Sequence, residues 1–244
     1  MRKMNFLMFT AVLAAAFVFT SCLKSDNSPS EYVSLVTVEH GMMGVMFIPD
    51  ESPKQVLIPT NATSTFDAAK RALIYYTIPE GQDVKATQIK IALTANSGVL
   101  KMSEISNRKD TIADYTNAFS GFVNYNVGFF QFPAVNVVRD YYLNVGYGYT
   151  ADKVGKVAMI PDRISNDTIY LDLLLKKEGT SRSSGPILNC YDLRSMATNG
   201  LLDLSQLQPS HDSICVTVSM KVSEYGDSNV KLQSKTAKFH SLFR

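Results

Sequence analysis

The chain has 244 residues, 45% of them hydrophobic and 19% charged, with three cysteines and no tryptophan. Its 24 basic residues include Arg2 and Lys3; without those two, 22 basic residues meet 22 acidic ones. So balanced a chain has no global field to gather nucleic acid or an anionic surface, and its apolar content is that of a globular protein able to bury a core.

At the N-terminus, Arg2 and Lys3 precede an uncharged stretch over residues 6–19, which ends in Phe19-Thr20-Ser21-Cys22. A basic head, a short apolar body and small residues before a cut describe a secretory signal over residues 1–21. The apolar body is shorter than the ~20 residues a membrane-spanning helix needs. A cysteine at the cut resembles a bacterial lipobox, whose thiol takes a diacylglycerol and whose mature chain then carries acyl groups such as palmitate. Cys22 is therefore the expected lipidation site. Residues 22–30, rich in Ser, Asn and Pro, form a polar tether. Leu23, rather than aspartate, follows the cysteine, which points to the outer membrane; the periplasmic and surface-exposed faces both stay open.

Beyond the tether, alternation of period two dominates. Strands are expected over residues 32–38, 44–48, 55–58, 71–78, 88–93 and 99–105, several ended by prolines that cannot donate to a sheet ladder. These make a first β domain, residues 31–106. Residues 67–70 are the one helix candidate. A polar stretch over residues 106–117 is read as the domain boundary. Strands are then expected over residues 141–149, 155–160, 168–175, 187–193, 214–222 and 230–239. Asn199-Gly200 is read as a hairpin-type turn, and residues 202–207 as a short strand or a single helical turn. Many short strands with regular turns indicate an all-β fold, a sandwich or barrel, here with the second domain at residues 118–243.

The layout resembles the NigD-like lipoproteins of Gram-negative anaerobes. The resemblance is carried by the lipobox, the tether, Arg71-Ala72-Leu73-Ile74-Tyr75-Tyr76-Thr77-Ile78, Tyr142-Leu143-Asn144-Val145 and Asn166-Asp167-Thr168-Ile169-Tyr170-Leu171-Asp172-Leu173. It implies a small OB-like barrel followed by a β-sandwich, and a non-catalytic binding role, of bacteriocin-immunity type, toward a protein partner. The alternative is a module that binds a glycan or another envelope component, suggested by Tyr141, Tyr142, Tyr147 and Tyr149.

Individual residues add little chemistry. Cys190 and Cys215 could pair in an oxidising compartment, which would add ~3 kcal/mol, or stand as two free thiols. His211-Asp212-Ser213 cannot converge as a hydrolytic triad, because adjacent residues on extended chain point to opposite sides. His40 and His240 stand alone, without metal-ligand spacing, so neither catalytic residues, metal ligands nor a cofactor are expected. Asp110-Thr111, Asp167-Thr168 and Asp212-Ser213, each followed by isoleucine, resemble the O-glycosylation acceptor of the same anaerobes. Thr111, Thr168 and Ser213 are the candidate hydroxyls; a turn aspartate before a β-branched strand start would give the same pattern.

Overall fold

The structure is a computed structural model that describes residues 30–42, 44–61, 63–107, 114–139, 141–148, 154–178, 186–208, 213–223 and 229–240. The chain from Glu31 onward forms one compact unit.

Its first part is a closed barrel. Strands β1 (Glu31–Gly41), β2 (Gly44–Pro49), β3 (Val56–Pro59), β4 (Arg71–Thr77) and β5 (Gln88–Leu93) pair in the order β1-β2-β3-β5-β4, and β4 closes back on β1. The β3–β5 contact is parallel and the others are antiparallel. This is the OB-like order implied by the sequence. Val36, Val38, Phe47, Leu57, Ala72, Ile74, Ile89 and Ile91 fill the interior, as the inward-alternating residues of small barrels do. The short β6 (Gly98–Val99) adds to β4.

The second part is a sandwich. One sheet runs β11 (Val135–Val138), β12 (Tyr142–Gly148), β15 (Ile187–Asp192) and β7 (Met102–Ser103), with β8 (Gly121–Phe122) also on β12. The other runs β13 (Val154–Ser165), β14 (Thr168–Glu178), β16 (Ser213–Val222) and β17 (Lys231–His240). Leu143, Val145 and Tyr147 of the first sheet meet Leu171, Leu173, Val216 and Val218 of the second in a single apolar core. A separate two-stranded hairpin, β9 (Tyr125–Val127) and β10 (Phe130–Phe132), lies between barrel and sandwich. Its Tyr125, Val127 and Phe132 cover Leu35 of β1.

That placement explains two strands that do not alternate. Residues 34–38 of β1 are all buried, and so is the whole of β12. One face of β1 fills the barrel and the other meets the hairpin; one face of β12 fills the sandwich and the other faces the seam.

Several expectations are corrected. The boundary comes earlier than residue 106, because Met102–Ser103 already pair with β15 and Ile105 bridges Met159. The expected strand at 99–105 is broken into β6 and β7 for the same reason. Residues 67–70 are not a helix; a 3-10 turn, Ser64–Phe66, precedes them. Asn199-Gly200 ends a short helix, Arg194–Thr198, that the sequence reading did not contain. Gly200 has φ +61°, and bonds from Gly200 N–H to Ala197 and from Leu201 N–H to Met196 make a Schellman cap. Residues 204–206 form a 3-10 turn, one of the two expected forms.

Candidate functional site

The most heavily constrained polar group lies where barrel and sandwich meet. Arg71 opens β4 inside an otherwise apolar run, and its guanidinium is fully buried. It donates to Asp50 twice (Nη1–Oδ1 2.7 Å, Nη2–Oδ2 2.5 Å) and to Thr37 Oγ1 at 2.9 Å. Asn144 of β12 reaches across the seam, donating from Nδ2 to Asp50 Oδ2 and Tyr125 Oη, each at 3.2 Å. The Tyr142 ring lies 5.6 Å from the guanidinium carbon. Burial alone would lower the Arg71 pKa; the Asp50 bonds and charge outweigh it and hold the residue firmly cationic. Cys190 lies against the same cluster, and burial pushes its thiol pKa up, partly offset by Arg71.

A second bridge runs along the rim of the seam. Asp192 accepts from Arg194 Nη2 at 2.7 Å and from Lys70 Nζ of the barrel at 3.2 Å. The Arg194 guanidinium carbon sits 3.7 Å from the Tyr141 ring centre, a cation–π contact. Burial acts to raise the Asp192 pKa, and the hydrogen bonds from Arg194 and Lys70 outweigh it, leaving the carboxyl below its ordinary range. Arg139 of the sandwich bonds Glu39 of the barrel. These contacts tie the barrel to the sandwich across the seam.

The accessible surface offers three other features. Strands β16 and β17 carry Lys221, Lys231, Lys235 and Lys238 and no acidic residue. Leu232 on this ribbon is 73% exposed, and Ser219–Ser234 and Thr217–Thr236 hydroxyl pairs at 2.8 and 2.9 Å cross-link its outer face. At the hairpin turn between β9 and β10, the Phe129 ring is wholly exposed. A shallow open groove of about 490 Å³ lies on the barrel between residues 52–55 and 84–87; Gln55 Nε2 ties its two walls, donating to the Val84 and Ala86 carbonyls.

The residues singled out from sequence fall as follows. Cys22 and Thr111 lie outside the described residues, as do His211 and Asp212. Cys190 and Cys215 are both free. They belong to different sheets: Cys190 pairs with Asn144 in one, Cys215 with Thr168 and Lys238 in the other. The disulfide considered from sequence is therefore not formed. Thr168 is half-buried and its hydroxyl donates to Asp167 at 2.8 Å. Ser213 is buried at the start of β16. Of the four tyrosines, Tyr142 and Tyr147 are core residues, Tyr141 is covered by Arg194, and Tyr149 lies outside the described residues. Among the described residues, no group of three His, Cys, Asp or Glu side chains could hold a metal ion. The Arg71 cluster was missed from sequence; its one signal is an arginine inside a β-rich apolar run, where only a paired charge is tolerated.

The architecture defined here is an OB-like barrel fused to a β-sandwich through a buried polar seam. Solved structures are similar to it in overall fold. A candidate lipoprotein from Bacteroides fragilis is 18% identical with a TM-score of 0.64, over 88% of this chain and 100% of that one. A candidate toxin-related protein from Parabacteroides distasonis is 17% identical with a TM-score of 0.55, over 87% and 95%. A NigD-like immunity protein from Bacteroides caccae is 11% identical with a TM-score of 0.48, over 86% and 95%. At these identities the likeness is one of fold. No family model matches the sequence, and no curated protein matches it.

Proposed function

We propose that the chain is a lipid-anchored, non-catalytic binding protein of the outer membrane, whose partner is a protein with an acidic surface. The N-terminal lipobox at Cys22 supports the anchor, as does the description of the Bacteroides fragilis fold relative as a candidate lipoprotein. The observation that carries the binding role is the β16–β17 ribbon. On its outer face the exposed Leu232 stands opposite Lys221, with Lys238 further along the same face; Lys231 and Lys235 stand on the other face, and neither strand carries an acidic residue. In a mature chain without net charge, such local concentration favours an oppositely charged protein patch with an apolar centre. An immunity-type role, in which the partner is a bacteriocin, fits this reading. The glycan alternative has less support, because Tyr142 and Tyr147 are buried and Tyr141 is covered by Arg194.

The test compares cross-linked captures from native envelope by the acylated protein and by a Leu232→Asp, Lys221→Glu variant, two residues paired on the outer face. A protein band that the wild type captures and the variant loses supports the ribbon as the docking face. Identical captures overturn it. Unchanged sensitivity of a deletion strain across a panel of bacteriocin producers would remove the immunity role specifically.

A further inference from the structure

The β9–β10 hairpin is built to hold one aromatic ring in an unusual place. Val127 pairs with Phe130, so the loop is the two residues Gly128 and Phe129, the tightest hairpin connection. Gly128 has φ +57°, which a side chain resists. It also lies so close to β1 that a Cβ there would stand 2.9 Å from Val33 Cγ1. The turn is thus braced on the barrel, and behind it Tyr125 and Phe132 stack at 5.2 Å. From this rigid base Phe129 projects at 105% relative exposure and Phe130 at 50%.

The surroundings limit what the rings can meet. From Tyr115 to Val138 the chain carries no charged residue, so no ion near the tip in sequence would have to be desolvated as the rings enter an apolar phase; the exposed Asn126 and Gln131, one pair behind them, suit the polar side of an interface. The brace at Val33 places the tip beside the start of β1, where the chain arrives from Cys22. Residues 22–31 span at most about 33–36 Å at roughly 3.3–3.6 Å per residue. An acylated Cys22 therefore keeps this end of the barrel within a short distance of the bilayer.

We infer that Phe129 and Phe130 form a membrane-contacting wedge: the hairpin dips its aromatic tip into the lipid interface and fixes how the tethered domain is oriented. Aromatic rings on a preformed turn suit this role, since interfacial binding grows with apolar area that costs no ordering. The wedge rests on the lipid-anchor reading and adds an orientation to it, because an acylated protein without the wedge would tumble on its tether.

The chain contains no tryptophan, which makes the test direct. Full-length acylated protein carrying Phe129→Trp is bound to phosphatidylethanolamine–phosphatidylglycerol vesicles with brominated acyl chains. The comparison variant is Met42→Trp, at a wholly exposed position at the opposite end of β1. Flotation with vesicles reads the anchor, and bromine quenching reads the wedge. F129W should be quenched roughly twofold or more above M42W and its emission should shift to the blue, as for a ring buried several ångströms into the interface. Flotation with equal quenching of both variants overturns the wedge while leaving the anchor, and assigns the tip to another partner. Loss of flotation by both variants overturns the anchor and the wedge with it.

Discussion

Arg71 and Asp50 form a two-pronged ion pair with side-chain exposures of 0% and 1%, and the pair sits at the joint of the molecule. Arg71 belongs to β4 and Asp50 follows β2, while Asn144, which also bonds Asp50, comes from the sandwich. One buried carboxylate is therefore shared by both halves of the fold.

Removing one partner of such a pair leaves an uncompensated buried charge, which costs about 3–5 kcal/mol. Asp50→Asn should lower the melting temperature by roughly 6–20 °C, at about 2–4 °C per kcal/mol for a chain of this size. A double variant, Arg71→Met with Asp50→Leu, should recover much of that loss, because apolar groups of similar volume replace ion pairs at little cost. Thermal unfolding of the three proteins checks both statements. A double variant no better than Asp50→Asn would mean that Thr37 and Asn144 depend on the charges themselves.

Two carboxyls should give the stability opposite pH dependences. Burial holds Glu51 above its ordinary value of 4.5. One of its oxygens accepts from Ser34 Oγ at 2.5 Å, and the other is buried without a hydrogen-bond donor among the described residues. The folded state therefore keeps a proton that the unfolded chain releases, and stability from this residue is lost as pH rises through the raised value. Asp192, held below 3.8 by Arg194 and Lys70 despite its burial, contributes fully above 3.8 and loses its contribution as pH falls through the lowered value. At pH 7, Glu51→Gln should be more stable than wild type by on the order of 1 kcal/mol. Asp192→Asn should be less stable by about 1 kcal/mol, its partners being half exposed. Denaturant midpoints measured downward from pH 7 should see the first difference vanish toward pH 4, and the second only in stronger acid.

Strands with one wet face were legible in the sequence. In β16, Ile214, Val216, Val218 and Met220 alternate with polar residues, and the structure buries that set. In β1 and β12 both faces are covered, so polarity does not alternate and only β-branched and aromatic content gives them away. The helix Arg194–Thr198 is only five residues long, too short for a helical period to show in the sequence. Its closing Asn199-Gly200 carries the same φ > 0 signal as a hairpin, which is why the two were confused. The Arg71 pair was invisible because its residues come together only when the barrel closes. Of the aromatic residues over 119–147, Phe119, Tyr125, Phe132, Tyr142 and Tyr147 belong to the core. Phe129 departs from it because Gly128 turns the chain immediately before.

Gly146 should be irreplaceable where Gly98 is not. A Cβ on Gly146 would lie 2.3 Å from the Val123 carbonyl oxygen, a backbone atom that cannot swing aside. Gly146 also donates its N–H to Ala134 and accepts from Val123 N–H, so β12 cannot retreat without breaking the seam. Gly146→Ala should cost at least about 1–3 kcal/mol, as overpacked sites do. A Cβ on Gly98 meets nothing within 4 Å, and Gly98→Ala should stay within about 0.5 kcal/mol of wild type. Urea unfolding of the two variants decides it; equal stabilities would show that the β12 contact relaxes freely.

The two free thiols should separate cleanly by reactivity. Cys215 is half-exposed on the outer face of its sheet, while Cys190 is buried and its thiol is pushed up in pKa by that burial, so the reactive thiolate is scarce there. In native acylated protein, a thiol reagent should modify Cys215 within minutes and leave Cys190 untouched until guanidinium unfolds the chain. The proposed acylation would leave Cys22 with no thiol in either state, so reaction at that residue would report an unlipidated chain. Reductant should leave the melting temperature unchanged. A bond between Cys190 and Cys215 would instead add ~3 kcal/mol that reduction removes, and a reductant-sensitive melting temperature would show that the two sheets move far enough to pair them.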